Sequence, residues 1–365
     1  DITPLSGLSA EIAAWWSGSF VDHDRDGELD LVLTRIDGDP LLYRGLGAGR
    51  FEEIVGAFRS EIVLPVVDNK GPVWFDYDLD GDEDLYVAGM SSARLFRNDG
   101  AGLFVDVSAE LLPPEARRWV FAASAADLDQ DGDEDLYLGC WSNQDYVLVN
   151  EGGTFSMQGP GLGLDMQVGD ESHENTMGLT IGDIDGDGFP DVLIGPGDPS
   201  FRGPPIAYCH EGVGLGFRRC SEDFVAGHGS SRNHGASLGD PDHDGDVDIF
   251  WNLGGNPPYD TETGEDSTQL PAYYVQQGAP IATTVSVRLR GTESNVEALG
   301  ASIRIEGGST RWLTLHSTQG FPNQPSPWRV LSLSGASTGT LTIRWPSGRV
   351  SMRTVSAFER IEIVE

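Results

Sequence analysis

Asp76-Tyr77-Asp78-Leu79-Asp80-Gly81-Asp82-Glu83-Asp84 is the stretch that decides how this chain folds. Carboxylates stand at positions 1, 3, 5 and 9 of a nine-residue loop, with glycine at position 6. Alternate carboxylates on a tight turn converge on one point and repel one another unless a cation sits there. Calcium, a hard cation, takes six to eight oxygens at about 2.3–2.6 Å. Glycine at position 6 allows the sharp bend that swings the carbonyl of position 7 inward.

The pattern recurs four more times. Its members are Asp22, Asp24, Asp26 and Asp30; Asp127, Asp129, Asp131 and Asp135; Asp183, Asp185, Asp187 and Asp191; and Asp240, Asp242, Asp244 and Asp248. Position 7, the carbonyl donor, is Glu28, Asp82, Asp133, Phe189 and Asp246. The copies start 51 to 57 residues apart, a repeat period rather than a scatter of acidic turns. An ordinary Asp-Gly turn needs no aspartate at three alternate positions. About five calcium ions are therefore expected, and folding is expected to depend on them.

An EF-hand would need a bidentate Glu at position 12 and flanking helices. Position 12 here is Leu33, Val87, Leu138, Ile194 and Trp251, and position 10 is Leu31, Leu85, Leu136, Val192 and Ile249. Apolar residues two apart predict a half-buried strand after each loop. Before each loop, small residues align: Ser17, Gly71, Ala122, Gly178 and Gly235, then Gly18, Pro72, Ala123, Leu179 and Ala236. Strands so stripped of bulk pack closely, as the innermost strands of a propeller do. Each repeat reads as strand, loop, strand and hairpin, for example Leu95-Phe96-Arg97-Asn98 to Phe104. The fold class expected is all-β: a β-propeller over residues 1–278, with five blades. Seven is the alternative, if blades without loops hide in weakly patterned segments. The N-terminal residues Asp1-Ile2-Thr3 resemble the end of a blade's fourth strand, so residues 1–5 are expected to complete the fifth blade.

These loops, with Phe96-Arg97-Asn98-Asp99-Gly100-Ala101-Gly102-Leu103-Phe104 after one of them, resemble FG-GAP/VCBS repeats. The resemblance implies a calcium-binding propeller of the kind that integrin α-subunits build with seven blades.

After the last loop the pattern changes. Residues 254–270 are rich in Gly, Pro, Asp and Thr and read as a long loop. Residues 279–365 alternate apolar and polar, as in Thr284-Val285-Ser286-Val287-Arg288-Leu289 and Leu341-Thr342-Ile343-Arg344-Trp345, predicting a small β-sandwich-like domain. Asn295, Gly300-Ala301 and Trp345-Pro346-Ser347-Gly348 resemble the UnbV/ASPIC domain, with Gly320 to Gln324 a looser match. Leu331 to Gly335 departs from that family's His-Phe-Gly-Leu-Gly. The two resemblances together point to the cartilage acidic protein family and its bacterial relatives. They imply a secreted, extracellular binding or adhesion role, or a periplasmic or cell-surface one in a bacterium, with a glycan or protein ligand.

Composition agrees. The 365 residues include 48 glycines, and 39% are hydrophobic, enough for a core with many turns. The formal charge of −35 leaves no basic footprint for nucleic acid. No run approaches the roughly 18 apolar residues of a membrane helix. The start at Asp1 suggests a trimmed chain, and a monomer is expected. Cys209 and Cys220 flank Gly212 to Gly216; they form either a hairpin disulfide, if the chain is exported, or two buried thiols. Cys140, in a strand-like run, reads as a core residue.

A second site is expected where the inner strands begin, at Trp15-Trp16, Asn69-Lys70, Arg118-Trp119, His173-Glu174-Asn175 and Arg232-Asn233-His234. Lys70, Arg118, His173, Glu174 and His234 would meet an acidic sugar, a peptide or a second metal there. The competing reading is ordinary loop residues, with the tryptophans packed between blades. His23 and His243, inside loops, are expected to face solvent. No G-x-S-x-G, H-E-x-x-H or P-loop motif occurs, and no catalytic residue is assigned. The alternative to a binding module is an extracellular enzyme, lyase- or dehydratase-like or metal-dependent, with its site at the propeller axis.

Overall fold

The computed structural model describes residues 6–8, 14–36, 38–59, 68–100, 102–141, 144–159, 162–164, 175–198, 201–202, 204–212, 214–225, 233–253, 271–276, 283–317 and 325–365. Their regular elements are almost wholly β-strands, with two four-residue helices and one short 3-10 turn.

Five sheets follow one another along the chain, each running antiparallel and in chain order from its first strand outward, except that Phe58–Arg59 crosses from the first repeat to pair parallel with Phe104–Asp106 at the outer edge of the second sheet. Their first strands are Trp15–Val21, Asn69–Phe75, Val120–Ala126, Thr176–Gly182 and Asn233–Gly239. Each aspartate loop joins a first strand to a second, which begins at Asp30, Asp84, Asp135, Asp191 or Asp248. The first strands pack side by side in sequence order, one to two through four to five. Their small residues permit this: a Cβ on Gly178 would overlap the backbone of Gly235 on the next inner strand.

All five first strands share a feature that composition did not announce. Each has a register break near its start, between Trp15 and Ser17, Asn69 and Pro72, Val120 and Ala122, Thr176 and Gly178, and Asn233 and Gly235. The aligned small residues Ser17, Ala122, Gly178 and Gly235 resume pairing there. Such bulges sharpen twist, which lets successive blades turn about an axis.

Large apolar side chains fill the gaps between successive sheets. Trp74, Leu85 and Phe96 meet Val32 and Leu42; Leu136, Leu138 and Leu148 meet Phe75 and Tyr86; Tyr137 and Val147 meet Leu179 and Ile194; Leu193 and Ala207 meet Ile249 and Trp251. The arrangement is propeller-like. Among the described residues no apolar cluster joins the fifth sheet to the first. Residues 1–5, expected to complete the fifth blade, lie outside the described residues. Nearby, Gly7 (φ +81°) abuts Phe51 of the first sheet's outer strand, as Gly163 (φ +80°) abuts Phe217 of the fourth.

Cys209 and Cys220 form a disulfide across the outer hairpin of the fourth sheet, and Cys140 is buried and free. The long loop 254–270 and the segment 320–324 lie outside the described residues. Beyond Thr284, two further sheets face each other. Thr284–Arg290 lies between Arg329–Ser332 and Arg360–Val364, the latter pair parallel; the other sheet runs Thr310–Thr314, Ser302–Glu306, Thr338–Arg344, Val350–Ser356. Val285, Val287, Ile303, Leu341, Ile343 and Trp345 are buried between them.

Candidate metal loops and the cleft above them

Position 6 is left-handed in every loop, with φ from +88° to +106° at Gly27, Gly81, Gly132, Gly188 and Gly245. Position 4 is left-handed too, at Arg25, Leu79, Gln130, Gly186 and His243. Only Gly186 among those carries the glycine that would signal it. Two left-handed residues curl the loop so that its own amides orient its carboxylates. The N–H of position 6 donates to the position 1 carboxylate, as Gly81 to Asp76 at 2.9 Å and Gly188 to Asp183 at 2.9 Å. The N–H of position 7 donates to position 5, as Asp82 to Asp80 and Asp133 to Asp131, at 2.9 and 3.0 Å.

Those bonds leave one oxygen of the first carboxylate pointing inward. Oδ1 of Asp76, Asp127, Asp183 and Asp240 is buried without a hydrogen-bond partner, as is Oδ1 of Asp78. Carboxylate oxygens of Asp22, Asp24 and Asp26, of Asp76, Asp78 and Asp84, and of Asp127, Asp129 and Asp135 lie within 4.8 Å of one another. Burial, reinforced by neighbouring carboxylates, pushes Asp76 up to about 7 and Asp127 and Asp183 up to about 8. Crowded oxygen donors with unmet lone pairs suit a hard divalent cation.

Position 9 has a second task. Asp84 accepts from Tyr77 N at 3.2 Å and from Asn98 N at 2.7 Å; Asp135 accepts from Leu128 N at 2.9 Å and Asn150 N at 2.8 Å. Asp191 does the same with Ile184 N and His210 N. This carboxylate ties the loop to the third strand of its own blade, and burial drives Asp84 up to about 9 and Asp135 to about 7.

The residue that meets it from the third strand reaches on to the preceding blade. Asn98 Nδ2 donates to the His23 carbonyl, Asn150 Nδ2 to the Tyr77 carbonyl at 2.8 Å, and His210 Nε2 lies 3.0 Å from the Leu128 carbonyl. The Asn of the N-x-G-x-G stretch is thus a latch between blades. Asn150 also donates to Glu134 O and accepts from Gly153 N. Asn150→Ala is therefore expected to cost about 2–4 kcal/mol in a urea melt run in calcium. A cost below about 0.5 kcal/mol would show the latch to be incidental.

Position 2 corrects an expectation. His23 does not face solvent: it is 2% exposed, bonded to Asp30 and packed beside Phe104 of the next blade. Carboxylates at 1 and 3 turn toward the loop centre, so position 2 turns away, into the inter-blade gap. Tyr77, Leu128 and Ile184 are buried at the same position. His243, at position 4, is exposed as expected and contacts Arg360.

At the opposite end of the inner strands, Lys70 is 5% exposed, with Nζ 3.8 Å from the Trp16 ring centroid, 5.3 Å from that of Phe121, and 2.8 Å from Asp68. Its charge is already engaged between blades. Trp119 and Arg118 are exposed, and His234 sits on its strand. His173, Glu174 and Arg232 lie outside the described residues.

The C-terminal sheets lie over the aspartate loops, a placement no local pattern revealed. Asn295 Nδ2 donates to Asp22 Oδ2 at 3.3 Å, Ser286 Oγ to Asp240 Oδ2 at 3.2 Å, Ser332 Oγ to Gly186 O and Thr284 Oγ1 to Gly245 O, both at 2.6 Å. The Arg311 guanidinium stacks 3.7 Å above Phe189. Position 8 of loops two and three, Glu83 and Glu134, faces this junction, where His316 Nε2 meets Glu134 Oε1 at 2.7 Å. Neighbouring carboxylates outweigh burial and raise the His316 pKa, while burial lifts Glu83 to about 7. A cleft of ≈540 Å³ remains between loops two to four and the C-terminal sheets.

Residues 22–87, 76–138 and 127–194 each match the FG-GAP-like repeat family, so the chain carries three such repeats. No curated protein matches it. Among solved structures, an Agrocybe aegerita lectin that recognises non-reducing terminal N-acetylglucosamine is 16% identical, covering 73% of this chain and 67% of the lectin (TM-score 0.44). A β-1,3-galactosidase of glycoside hydrolase family 43, with galactodeoxynojirimycin, is 9% identical, covering 65% and 85% (0.37). BBS1N in complex with ARL6DN is 12% identical, covering 97% and 94% (0.38).

Proposed function

We propose that this chain is an extracellular binding module: a five-bladed propeller over residues 1–278, braced by structural calcium, with an UnbV/ASPIC-like module over residues 279–365 seated on its calcium face. It would stand beside the cartilage acidic protein family. The observation that carries the reading is the inward, unpartnered Oδ1 of Asp76, Asp127 and Asp183, each in a loop whose position 6 amide has already oriented its carboxylate; Oδ1 of Asp240 is likewise buried and unpartnered. Buried carboxylate oxygens without partners are costly, and calcium meets that cost where its supply is plentiful, outside cells. The Cys209–Cys220 disulfide fits an oxidising compartment. Asn295, from the UnbV/ASPIC-like pattern, bonds a loop aspartate, and Gly300 packs on Glu83, so that pattern coincides with the docking surface. Ligand contact belongs in the cleft, because Lys70 at the far mouth is already engaged.

Metal analysis of the purified chain, dialysed in micromolar calcium, tests the brace. Five calcium ions per chain are expected, and Asp127→Asn should remove one. Two or fewer in the unmodified chain would end the five-loop reading.

A further inference from the structure

Calcium would account for the orphaned aspartate oxygens but leaves four other atoms of the same cleft unexplained, one of them Oε1 of Gln130. Nε of Arg311 and Nε of Arg329 are buried without a hydrogen-bond partner, and so is Oε2 of Glu83. All three residues line the ≈540 Å³ cleft, within the roughly 300–1,000 Å³ range of small-molecule sites. Arg311 donates to the Thr310 carbonyl and Arg329 to the Ser326 carbonyl. Among the described residues neither guanidinium meets a carboxylate within ion-pair distance.

The chemistry of what could fill the cleft is narrow. A bare cation would meet Glu83 and leave both arginine donors unmet. An inorganic anion would meet the arginines and leave Glu83 unmet, beside Glu134 and in a chain of formal charge −35. A hydroxyl both donates and accepts, so a polyhydroxylated ligand meets all three. Trp312 and Trp328 also line the cleft and offer apolar surface for the C–H face of a sugar ring. We infer that the cleft between the loops and the C-terminal sheets binds a neutral saccharide, with hydroxyls on Arg311, Arg329 and Glu83. This rests on the binding-module reading and names its ligand class and site.

The test is an array of neutral, uronic and sulfated oligosaccharides probed with the full chain in calcium. Calorimetry of the best neutral oligosaccharide follows, on the unmodified chain and on Arg311→Lys, Arg329→Lys and Glu83→Gln. Lysine keeps the charge but lacks Nε and the planar fork. Each variant is expected to weaken binding at least tenfold while calcium stoichiometry and melting temperature in calcium stay unchanged. Glu83→Gln serves if an arginine variant does not fold. The inference is overturned if no neutral saccharide binds, if only uronic or sulfated sugars bind, or if affinity is the same in every folded variant. A crystal structure with ordered water alone on the three atoms would overturn it too. Five bound calcium ions without saccharide binding would sink this inference and leave the calcium brace standing; absence of calcium would sink the brace first.

Discussion

Excess EGTA at pH 7.5 is expected to abolish the cooperative melt of this protein and the β-sheet signal of its circular dichroism spectrum. A site whose free ligand stands 100-fold above its dissociation constant adds about 2.7 kcal/mol to the folded state. Five such sites add about 13 kcal/mol, comparable to the whole stability of a domain, roughly 5–15 kcal/mol. Removing calcium also leaves repulsion behind. In the metal-free fold, burial raises Asp127 and Asp183 to about 8 and Asp76 and Asp135 to about 7, well above an unfolded aspartate near 3.9. The folded form then binds more protons than the unfolded one between those values, so its stability falls as pH rises from about 4 through 8. In EGTA a cooperative melt should reappear as pH is lowered from 8 toward 5, and its midpoint should climb with further acidification. In calcium the trend should flatten or reverse, because protons and metal compete for the same oxygens. Coincident melts in EGTA and calcium at pH 7.5 would refute the brace.

Asp135→Ala should be far more damaging than Asp131→Ala, although both lie in one loop. Asp131 is exposed at position 5, where its role toward the protein is confined to local loop bonds. Removing it should forfeit the metal of that loop, and in EGTA the variant should equal the unmodified chain or exceed it, since one repelling charge is gone. Asp135 is fully buried and holds both Leu128 N and Asn150 N. Leaving those two buried N–H donors unpaired costs about 2–6 kcal/mol whether or not metal is present. Urea titrations of both variants, in calcium and at pH 5 in EGTA, separate the two contributions. A loss for Asp135→Ala no larger than that for Asp131→Ala under both conditions would show that position 9 is a ligand and nothing more.

Much of this architecture is written locally. The aspartate spacing, the glycine at position 6 and the apolar residues at positions 10 and 12 each act within a dozen residues, so they announce loop and following strand without knowledge of the rest. The small residues of the inner strands announce close packing for the same reason. His23 was harder to read, because a histidine between aspartates is plausible in water. The buried Tyr77, Leu128 and Ile184 at the same position were the signal that position 2 plugs a gap. Asn98 and Asn150 could be aligned as a motif, but their partners are carbonyls 73 to 75 residues earlier, and no spacing encodes that.

The repeat of Asp22 to Asp248 thus carried the all-β, propeller-like class and the position of every candidate metal ligand, because loop and strand geometry depend on neighbours in the chain. The cleft was hidden until the chain was folded. Glu83 and Glu134 look like two more acids among many, and Arg311, Arg329 and His316 look like ordinary residues of a distant sandwich. Packing of the C-terminal sheets over the loops brings them together, and long-range packing of that kind leaves no mark on local periodicity.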